Sequence, residues 1–304
     1  MGYAEALAYL ESFVNYERTR PSQAMRAVPL ERMQQLCQRL GEPQRRFRSI
    51  LVAGTDGKGS VCAMLYAMLQ ASTLRVGLYT SPHLEDIRER IRVRSEEDSD
   101  WIGEADFASL VEELQPVIED VSRSCPEGPL THFEVLTALA FVYFNRRQVE
   151  VAVVEVGLGG RLDATNVLEP AVSVLTPVDV DHAEILGDDP VRIARENAGI
   201  IKPNQSVICA PQQPGVLEVL RVICEAHGVP LLVCGEDFSV EVQRHTPEGL
   251  QASLAGLKGV YPSVTIPLLG RHQASNAAVA VAALESLSSR GVPWSMVEEG
   301  LAHT

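Results

Sequence analysis

Apolar positions along the chain alternate between the spacings of buried strands and of amphipathic helices. Residues 49–54 form a compact apolar run of strand length, and apolar residues then recur at helical spacing over 60–70. Residues 149–157 are apolar at nearly every position, as in a strand buried on both faces. Strands that alternate with helices predict an α/β fold with a doubly wound, mostly parallel sheet. The other predicted strands are 75–80, 171–175, 206–210 and 230–234, and the predicted helices are 3–14, 29–40, 104–123, 132–146, 190–199, 214–227, 272–288 and one from 293.

The pattern changes after residue 236. Three short segments separated by turns, 238–245, 249–256 and 261–268, partly alternate between apolar and polar residues. Such alternation is typical of strands with one buried face. We therefore predict a small antiparallel sheet at about 236–268, near the C-terminal end.

Composition narrows the possible partners. The 304 residues include 40 acidic and 26 basic side chains, which gives a formal charge of −14. Nucleic acids and anionic membranes attract basic surfaces, so we expect neither as a partner. The chain has no apolar run of membrane-spanning length, its N-terminus does not resemble a signal peptide, and its six cysteines form no CxxC pair. These features predict a cytoplasmic protein with reduced cysteines.

A glycine-rich segment between a predicted strand and a predicted helix is the strongest chemical signal. It reads Gly54-Thr55-Asp56-Gly57-Lys58-Gly59-Ser60. Glycines let backbone N–H groups surround phosphate oxygens, and the helix N-terminus adds positive potential, so the segment predicts a P-loop. We expect Lys58 to be exposed and to pair with the outer phosphates, and Ser60 to face them or a magnesium ion. The alternative is a glycine-rich turn with an exposed lysine.

Three further groups of polar residues are candidates. Glu155 ends a buried strand, where a carboxylate is costly unless it is paired or binds metal, and Arg161 and Asp163 follow in a loop where they could orient a substrate or simply pair with each other. His182 follows the next strand, at the same end of the sheet; a lone histidine is more often a packed or surface residue. Residues 270–276 open a helix and, from composition alone, are an ordinary polar helix start.

Together these residues resemble the Mur ligase superfamily, and within it the folylpolyglutamate and dihydrofolate synthases of folate biosynthesis and one-carbon metabolism. The matching motifs fall in family order along nearly the whole chain: VAGTDGKGS (52–60), YTSPHL (79–84), ERI (89–91), TxFE (131–134), EVGLGGRLDATN (155–166), DH…LG (181–187), AGIIKP (198–203) and GRHQxxNAA (270–278).

The resemblance implies an ATP- and Mg²⁺-dependent amide ligase that acts as a monomer. Such enzymes phosphorylate a pteroate or folate carboxylate, and the amine of L-glutamate attacks the acyl phosphate. By resemblance, the catalytic residues are Lys58, Glu155 and His182, and the metal is held by Ser81, Glu155 and His182, with Ser60 as a further candidate. The residues implied to bind ATP are Gly54, Thr55, Asp56, Gly57, Lys58, Gly59, Ser60 and Asn276. The residues implied to bind the acceptor are Thr131, His132, Phe133, Glu134, Leu162, Asp163 and Ala164.

The sequence departs from the family pattern at three places. Asn197 stands where members carry a carbamylated lysine, and Asp56 stands where they usually have asparagine. The chain also stops near Thr304, where members continue into a glutamate-binding domain. We therefore expect residues 1–304 to form one Mur-ligase-type ATP-binding domain that does not catalyse ligation alone. The alternatives are a non-catalytic nucleotide-binding module and a Mur-type ligase with another acid and amine.

Overall fold

A seven-stranded sheet organises the parts of the chain that the computed structural model describes, residues 1–17, 29–94, 99–180 and 189–304. The strand order is β3-β2-β4-β1-β5-β6-β7, and every neighbouring pair is parallel except β2 and β3. This confirms the doubly wound, mostly parallel sheet. The strands are β1 (Arg48–Ala53), β2 (Val76–Tyr79), β3 (Ile91–Val93), β4 (Val151–Glu155), β5 (Val172–Leu175), β6 (Ser206–Cys209) and β7 (Leu231–Val233).

The observed helices match those predicted from the spacing of apolar residues, except for the positions of some ends. The first stops at Glu11 rather than at residue 14, because the chain turns so that the Val14 carbonyl accepts the His132 N–H at 3.0 Å. No helix within the described ranges is long and apolar enough to span a membrane. The helices are α1 (Tyr3–Glu11), α2 (Leu30–Arg39), α3 (Lys58–Gln70), α4 (Glu104–Ser124), α5 (His132–Arg146), α6 (Pro190–Asn197), α7 (Pro214–His227), α8 (His272–Leu287) and α9 (Trp294–Ala302).

The sheet separates two apolar cores. Successive strand residues point to opposite faces, so Leu51 and Ala53 of β1 join the core on the side of α1, α2, α4 and α5. Ile50 and Val52 of the same strand join the core beneath α3, α8 and α9. Each fully buried Val, Leu or Ile side chain contributes about 1.5–3 kcal/mol relative to exposure. The near-continuous apolar strands are thus explained by burial on both faces.

The predicted small antiparallel sheet is also confirmed. It consists of β8 (Ser239–Thr246), β9 (Gly249–Ala255) and β10 (Val260–Ile266), in the order β10-β9-β8. The turn between β9 and β10 is fixed to α8 by Glu285, whose side chain is fully buried. The Glu285 carboxylate accepts the Tyr261 hydroxyl at 2.9 Å and the amides of Leu257 at 2.5 Å and Lys258 at 3.2 Å.

All three lysines of the chain hold main-chain carbonyls, whereas its other 23 basic residues are arginines. Each ammonium group donates to two carbonyl oxygens and so closes a loop or turn. Burial lowers the pKa of Lys202 to about 8. The carbonyls belong to Gly54 and Thr55 for Lys58, to Asn166 and Leu168 for Lys202, and to Glu285 and Ser288 for Lys258.

Candidate active site

The glycine-rich loop joins β1 to α3, and its backbone requires glycine at two positions. Gly54 has a φ of +137° and Gly57 a φ of +84°. A Cβ on Gly54 would fall 2.1 Å from Thr176 Oγ1, and one on Gly57 would fall 2.8 Å from Asn276 Oδ1. The loop therefore combines a left-handed backbone with close contacts that a larger residue cannot make.

The helix after the loop begins at Lys58, two residues before the predicted start at Ser60. The first amides of a helix have no helical carbonyl to bind and carry the positive end of the helix dipole. The N–H groups of Lys58, Gly59 and Ser60 therefore belong to a first turn suited to anionic oxygen.

The first half of the loop is anchored to the end of β5. The amides of Thr55 and Asp56 both donate to the Pro177 carbonyl, at 2.9 and 3.2 Å. The Thr55 hydroxyl donates to the Asp179 carbonyl at 2.9 Å, while the Asp56 side chain is exposed. Thr55 and Asp56 therefore use these main-chain groups to hold the loop, and only the second half offers helix-start amides.

The expectation that Lys58 is exposed is wrong. Its side chain is half-buried, and its ammonium group donates to the carbonyls of Gly54 at 2.9 Å and Thr55 at 3.1 Å. The loop curls over the start of α3, which brings its own carbonyls within reach of the amine. The positive charge is consequently fixed inside the loop rather than extended into solvent.

Glu155 lies beside the loop because β4 pairs directly with β1, with Glu155 opposite Val52. The carboxylate is 5% exposed and accepts the Ser81 amide at 3.1 Å. Its other oxygen lies toward Gly59, 3.8 Å from where a Cβ on that glycine would be. Burial raises the pKa of Glu155 to about 7, although the Ser81 hydrogen bond and the charge of Lys58 oppose the shift. A buried carboxylate of this kind is suited to a cation.

The predicted metal ligands are only partly placed. Ser81 and Glu155 are brought together, and Ser60 Oγ, in the first turn of α3, accepts a hydrogen bond from Gln273 at 3.3 Å. His182 and Asp181 lie outside the described residues, so the role of His182 stays a prediction. Within the described ranges, no three His, Cys, Asp or Glu side chains form a metal-binding group.

Asn276 approaches the loop from α8, more than 200 residues away in sequence. It is buried beside Gly57, and its Nδ2 donates to Gln273 Oε1 at 2.9 Å. Gln273 in turn contacts Ser60, so one turn of α8 covers the start of α3. The structure thus brings together the ATP-binding residues predicted from two distant motifs.

Asp163 shapes the loop that follows β4. Its carboxylate is buried and accepts the amides of Leu158 and Thr165, both at 2.9 Å, and the Thr165 hydroxyl at 2.5 Å. Burial raises the pKa of Asp163, although these hydrogen bonds oppose the shift. The alternative of an Arg161–Asp163 pair is wrong, because Arg161 instead pairs with Glu196 at 3.1 Å. Neighbouring Leu162 is half-buried and Ala164 is buried.

The start of α5 has the predicted capping box. Thr131 and Glu134 exchange hydrogen bonds, and Glu134 also forms a buried ion pair with Arg32 at 2.8 Å. Both carboxylate oxygens of Glu134 are therefore engaged within the protein. His132 is buried, whereas half-buried Phe133 lies over the loop after β4: a Cβ on Gly157 would fall 2.7 Å from its ring.

Asn197 ends α6 against the same loop. Its side chain is 1% exposed and donates to the Ile193 carbonyl at 3.1 Å. Its own carbonyl would lie 2.7 Å from a Cβ on Gly160. The departure from the family pattern is therefore at a buried position in contact with the loop that follows Glu155.

Several polar residues that support the site were given no role on the sequence pattern alone. Gln273, Arg32 and Arg90 each join segments far apart in sequence, and Glu89 binds the loop after β2. The triplet ERI at 89–91 was the only signal for two of them, and residues 91–93 form the short edge strand β3, which was not predicted.

The parallel sheet, the P-loop and the buried carboxylate beside it define a phosphate-loop α/β protein. The chain belongs to the Mur ligase family: residues 107–284, more than half of it, match the Mur ligase middle domain. It is 38% identical to the dihydrofolate synthase/folylpolyglutamate synthase of Bacillus subtilis over 264 residues. This aligned region covers 86% of this chain and 60% of that relative.

Solved structures give the same result. The folylpolyglutamate synthase of Mycobacterium tuberculosis complexed with ADP and AMPPCP superposes with a TM-score of 0.88 at 36% identity, over 99% of this chain and 66% of that one. An FPGS–AMPPCP–folate complex superposes with a TM-score of 0.89 at 34% identity, over 99% and 71%. The chain thus spans a little under two thirds of the Bacillus and Mycobacterium proteins.

Proposed function

We propose that the chain binds ATP and forms the nucleotide-binding part of a ligase that adds L-glutamate to a pteroate or folate carboxylate. The observation that carries the proposal is that three groups meet beside the P-loop: the helix-start amides, buried Glu155 with its Ser81 partner, and Asn276. The relatives described as folylpolyglutamate or dihydrofolate synthases, and the structures with AMPPCP and folate, support the choice of ligand and substrate.

The residues of the loop account for phosphate binding in this proposal. The amides of residues 58–60 and the Lys58 ammonium concentrate positive potential at one point of a chain with a net charge of −14. ATP and a substrate carboxylate repel one another, so a ligase must hold both against that repulsion. Fixed donors in a partly buried site stabilise the transferring phosphoryl group without reorganisation.

Mg²⁺ fits the donors beside the loop. Glu155 is a buried carboxylate with a pKa of about 7 that accepts the Ser81 amide, and Ser81 and Ser60, the residue after Gly59, each carry a hydroxyl oxygen. Hard oxygen donors of this type are those that Mg²⁺ prefers. In the proposed enzyme Glu155, Ser81 and His182 would hold the ion, with Ser60 as a further candidate. When bound, Mg²⁺ supplies positive charge that offsets the charge of the phosphates.

The acceptor is proposed to lie against Phe133 and the loop after β4. The Phe133 ring stands over Gly157, and half-buried Leu162 adds apolar surface to the same loop, in which Ala164 is buried. An aromatic ring system such as that of a pteroate can stack on such a surface. In this proposal Thr131, Glu134 and Asp163 act indirectly, because their described hydrogen bonds hold the backbone that presents these groups.

Nucleotide binding is tested first, by calorimetry of the 304-residue chain with AMPPCP in the presence of Mg²⁺ or of EDTA. We expect saturable binding that Mg²⁺ strengthens, and loss of that binding in Lys58→Ala with an unchanged circular dichroism spectrum. An exposed-site variant, Arg39→Ala, provides the control for removing one positive charge. Equal binding by Lys58→Ala and the wild type would contradict the P-loop assignment.

The substrate is tested by incubating the complete gene product that contains this chain with ATP, labelled L-glutamate and either dihydropteroate or tetrahydrofolate. Formation of a glutamyl amide supports the folate assignment, and product with a different acid and amine would replace it with another Mur-type activity. Asp56 and Asn197 favour one further candidate, a nucleotide-binding module without ligase activity. Binding of Mg²⁺–AMPPCP by the complete gene product without any amide product would support that candidate.

A further inference from the structure

We propose that Glu89 and Arg90 are positioning residues that hold the segment 80–86 so that Ser81 faces Glu155. This inference rests on the proposed nucleotide function of the Ser81–Glu155 pair. It concerns a motif, ERI at 89–91, whose side chains the proposed chemistry does not otherwise use.

Glu89 binds the backbone of the segment. One carboxylate oxygen accepts the Leu84 amide at 2.8 Å, and the other accepts the amides of Glu85 at 2.8 Å and Asp86 at 2.7 Å. These hydrogen bonds, led by that of Leu84, lower the pKa of Glu89. The carboxylate is largely buried, so three successive amides are fixed to a single charged group.

Arg90 binds the two ends of the same segment. Its own carbonyl accepts the Thr80 amide at 3.1 Å, and its Nε donates to His83 Nδ1 at 2.8 Å. Its two terminal nitrogens form a fork with Glu17, at 2.9 and 2.5 Å. The guanidinium is 2% exposed, so these donors are directed within the protein.

Ser81 lies between these attachments. Thr80 is fixed on one side and His83 to Asp86 on the other, and the Ser81 amide reaches Glu155 at 3.1 Å. Apolar packing cannot supply this order at the tip, because the Leu84 side chain is 92% exposed. The polar contacts of Glu89 and Arg90 therefore determine where Ser81 stands relative to the buried carboxylate.

The first test measures the loop itself. Amide hydrogen exchange in metal-free protein compares the wild type with Glu89→Gln and Arg90→Lys. Glu89→Gln keeps the side-chain size but leaves one acceptor oxygen, and we expect the amides of Leu84, Glu85 and Asp86 to exchange about tenfold faster. The matched control is Glu85→Gln, which makes the same charge change on an exposed side chain of the same loop. Unchanged protection in Glu89→Gln would overturn the inference.

The second test connects the loop to the metal-dependent step. Calorimetry with AMPPCP in EDTA and in Mg²⁺ separates nucleotide contacts from the contribution of the Ser81–Glu155 pair. We expect both variants to lose about tenfold in affinity with Mg²⁺ and to match the wild type in EDTA. Arg90→Lys keeps the charge opposite Glu17 and is expected to retain more Mg²⁺-dependent affinity than Arg90→Met.

The outcomes separate this inference from the proposed function. Equal losses with and without Mg²⁺, or no loss in either variant, would overturn the positioning role. Failure of the wild type to bind AMPPCP would contradict the proposed function instead, and the amide exchange of the variants would still decide whether Glu89 and Arg90 hold the loop.

Discussion

Replacing Glu155 by glutamine should stabilise the metal-free protein while removing its metal-dependent binding. The carboxylate is 5% exposed, and burial raises its pKa from 4.5 to about 7. Each pKa unit corresponds to about 1.4 kcal/mol, so ionised Glu155 costs the folded protein about 3 kcal/mol at pH 8. Glutamine has nearly the same shape and can still accept the Ser81 amide.

The pH dependence follows from the sign of the shift. Between pH 4.5 and about 7 the folded state holds a proton that the unfolded state has lost, so wild-type stability falls as the pH rises. Glutamine does not titrate. The stability advantage of Glu155→Gln should therefore be small at pH 5 and should grow by about 2 kcal/mol by pH 8.

Urea unfolding in EDTA at the two pH values measures this difference. Glu218→Gln is the control, because it makes the same substitution on an exposed face of α7. Addition of Mg²⁺ and AMPPCP should reverse the order, since ligand at about 1,000 times its Kd stabilises the binding-competent wild type by about 4.1 kcal/mol, which exceeds the cost of ionised Glu155. An advantage for Glu155→Gln that is equal at pH 5 and pH 8 would refute burial as the cause.

Three other substitutions test the supports of the site. Arg32→Met should lower the free energy of unfolding by about 3 kcal/mol, because it leaves Glu134 charged and buried; Arg39→Met, on the same helix but in an exposed ion pair, should cost less than about 1 kcal/mol. Urea midpoints distinguish them, and similar midpoints would contradict the prediction. Gly57→Ala should abolish AMPPCP binding in calorimetry, because the φ of Gly57 is +84°; normal binding would count against the loop geometry. Tyr261→Phe should lower the free energy of unfolding by about 1 kcal/mol, because it removes the hydrogen bond to buried Glu285 of α8. Thermal unfolding measures this change, and an unchanged melting temperature would show that the bond contributes nothing.

The central strands were predictable because burial on both faces requires apolar residues at nearly every position. β1 is apolar over residues 50–53 and β4 over residues 151–154, and the Thr131 capping box marked the start of α5. β3 was missed because it has three residues with Arg92 at its centre, and its place is fixed by pairing with β2 rather than by its own pattern.

Parts of the site depended on contacts that local sequence does not encode. The P-loop motif predicted phosphate binding, but the fold of Lys58 onto its own loop and the binding of Thr55 to the end of β5 arise from tertiary structure. The fork between Arg90 and Glu17 joins residues 73 positions apart. Periodicity reports burial of a face, and it carries no information about which distant polar partners meet.

The three lysines make the protein accessible to a simple chemical measurement. Apart from the N-terminal amine, only Lys58, Lys202 and Lys258 can be acylated by amine-selective reagents, and each holds a different part of the molecule. Lys202 is half-buried and its amine is held by the carbonyls of Asn166 and Leu168, so its labelling follows the opening of these contacts. Mass spectrometry of three peptides would therefore report separately on the P-loop, on the segment after Asn166 and on the turn of the small sheet.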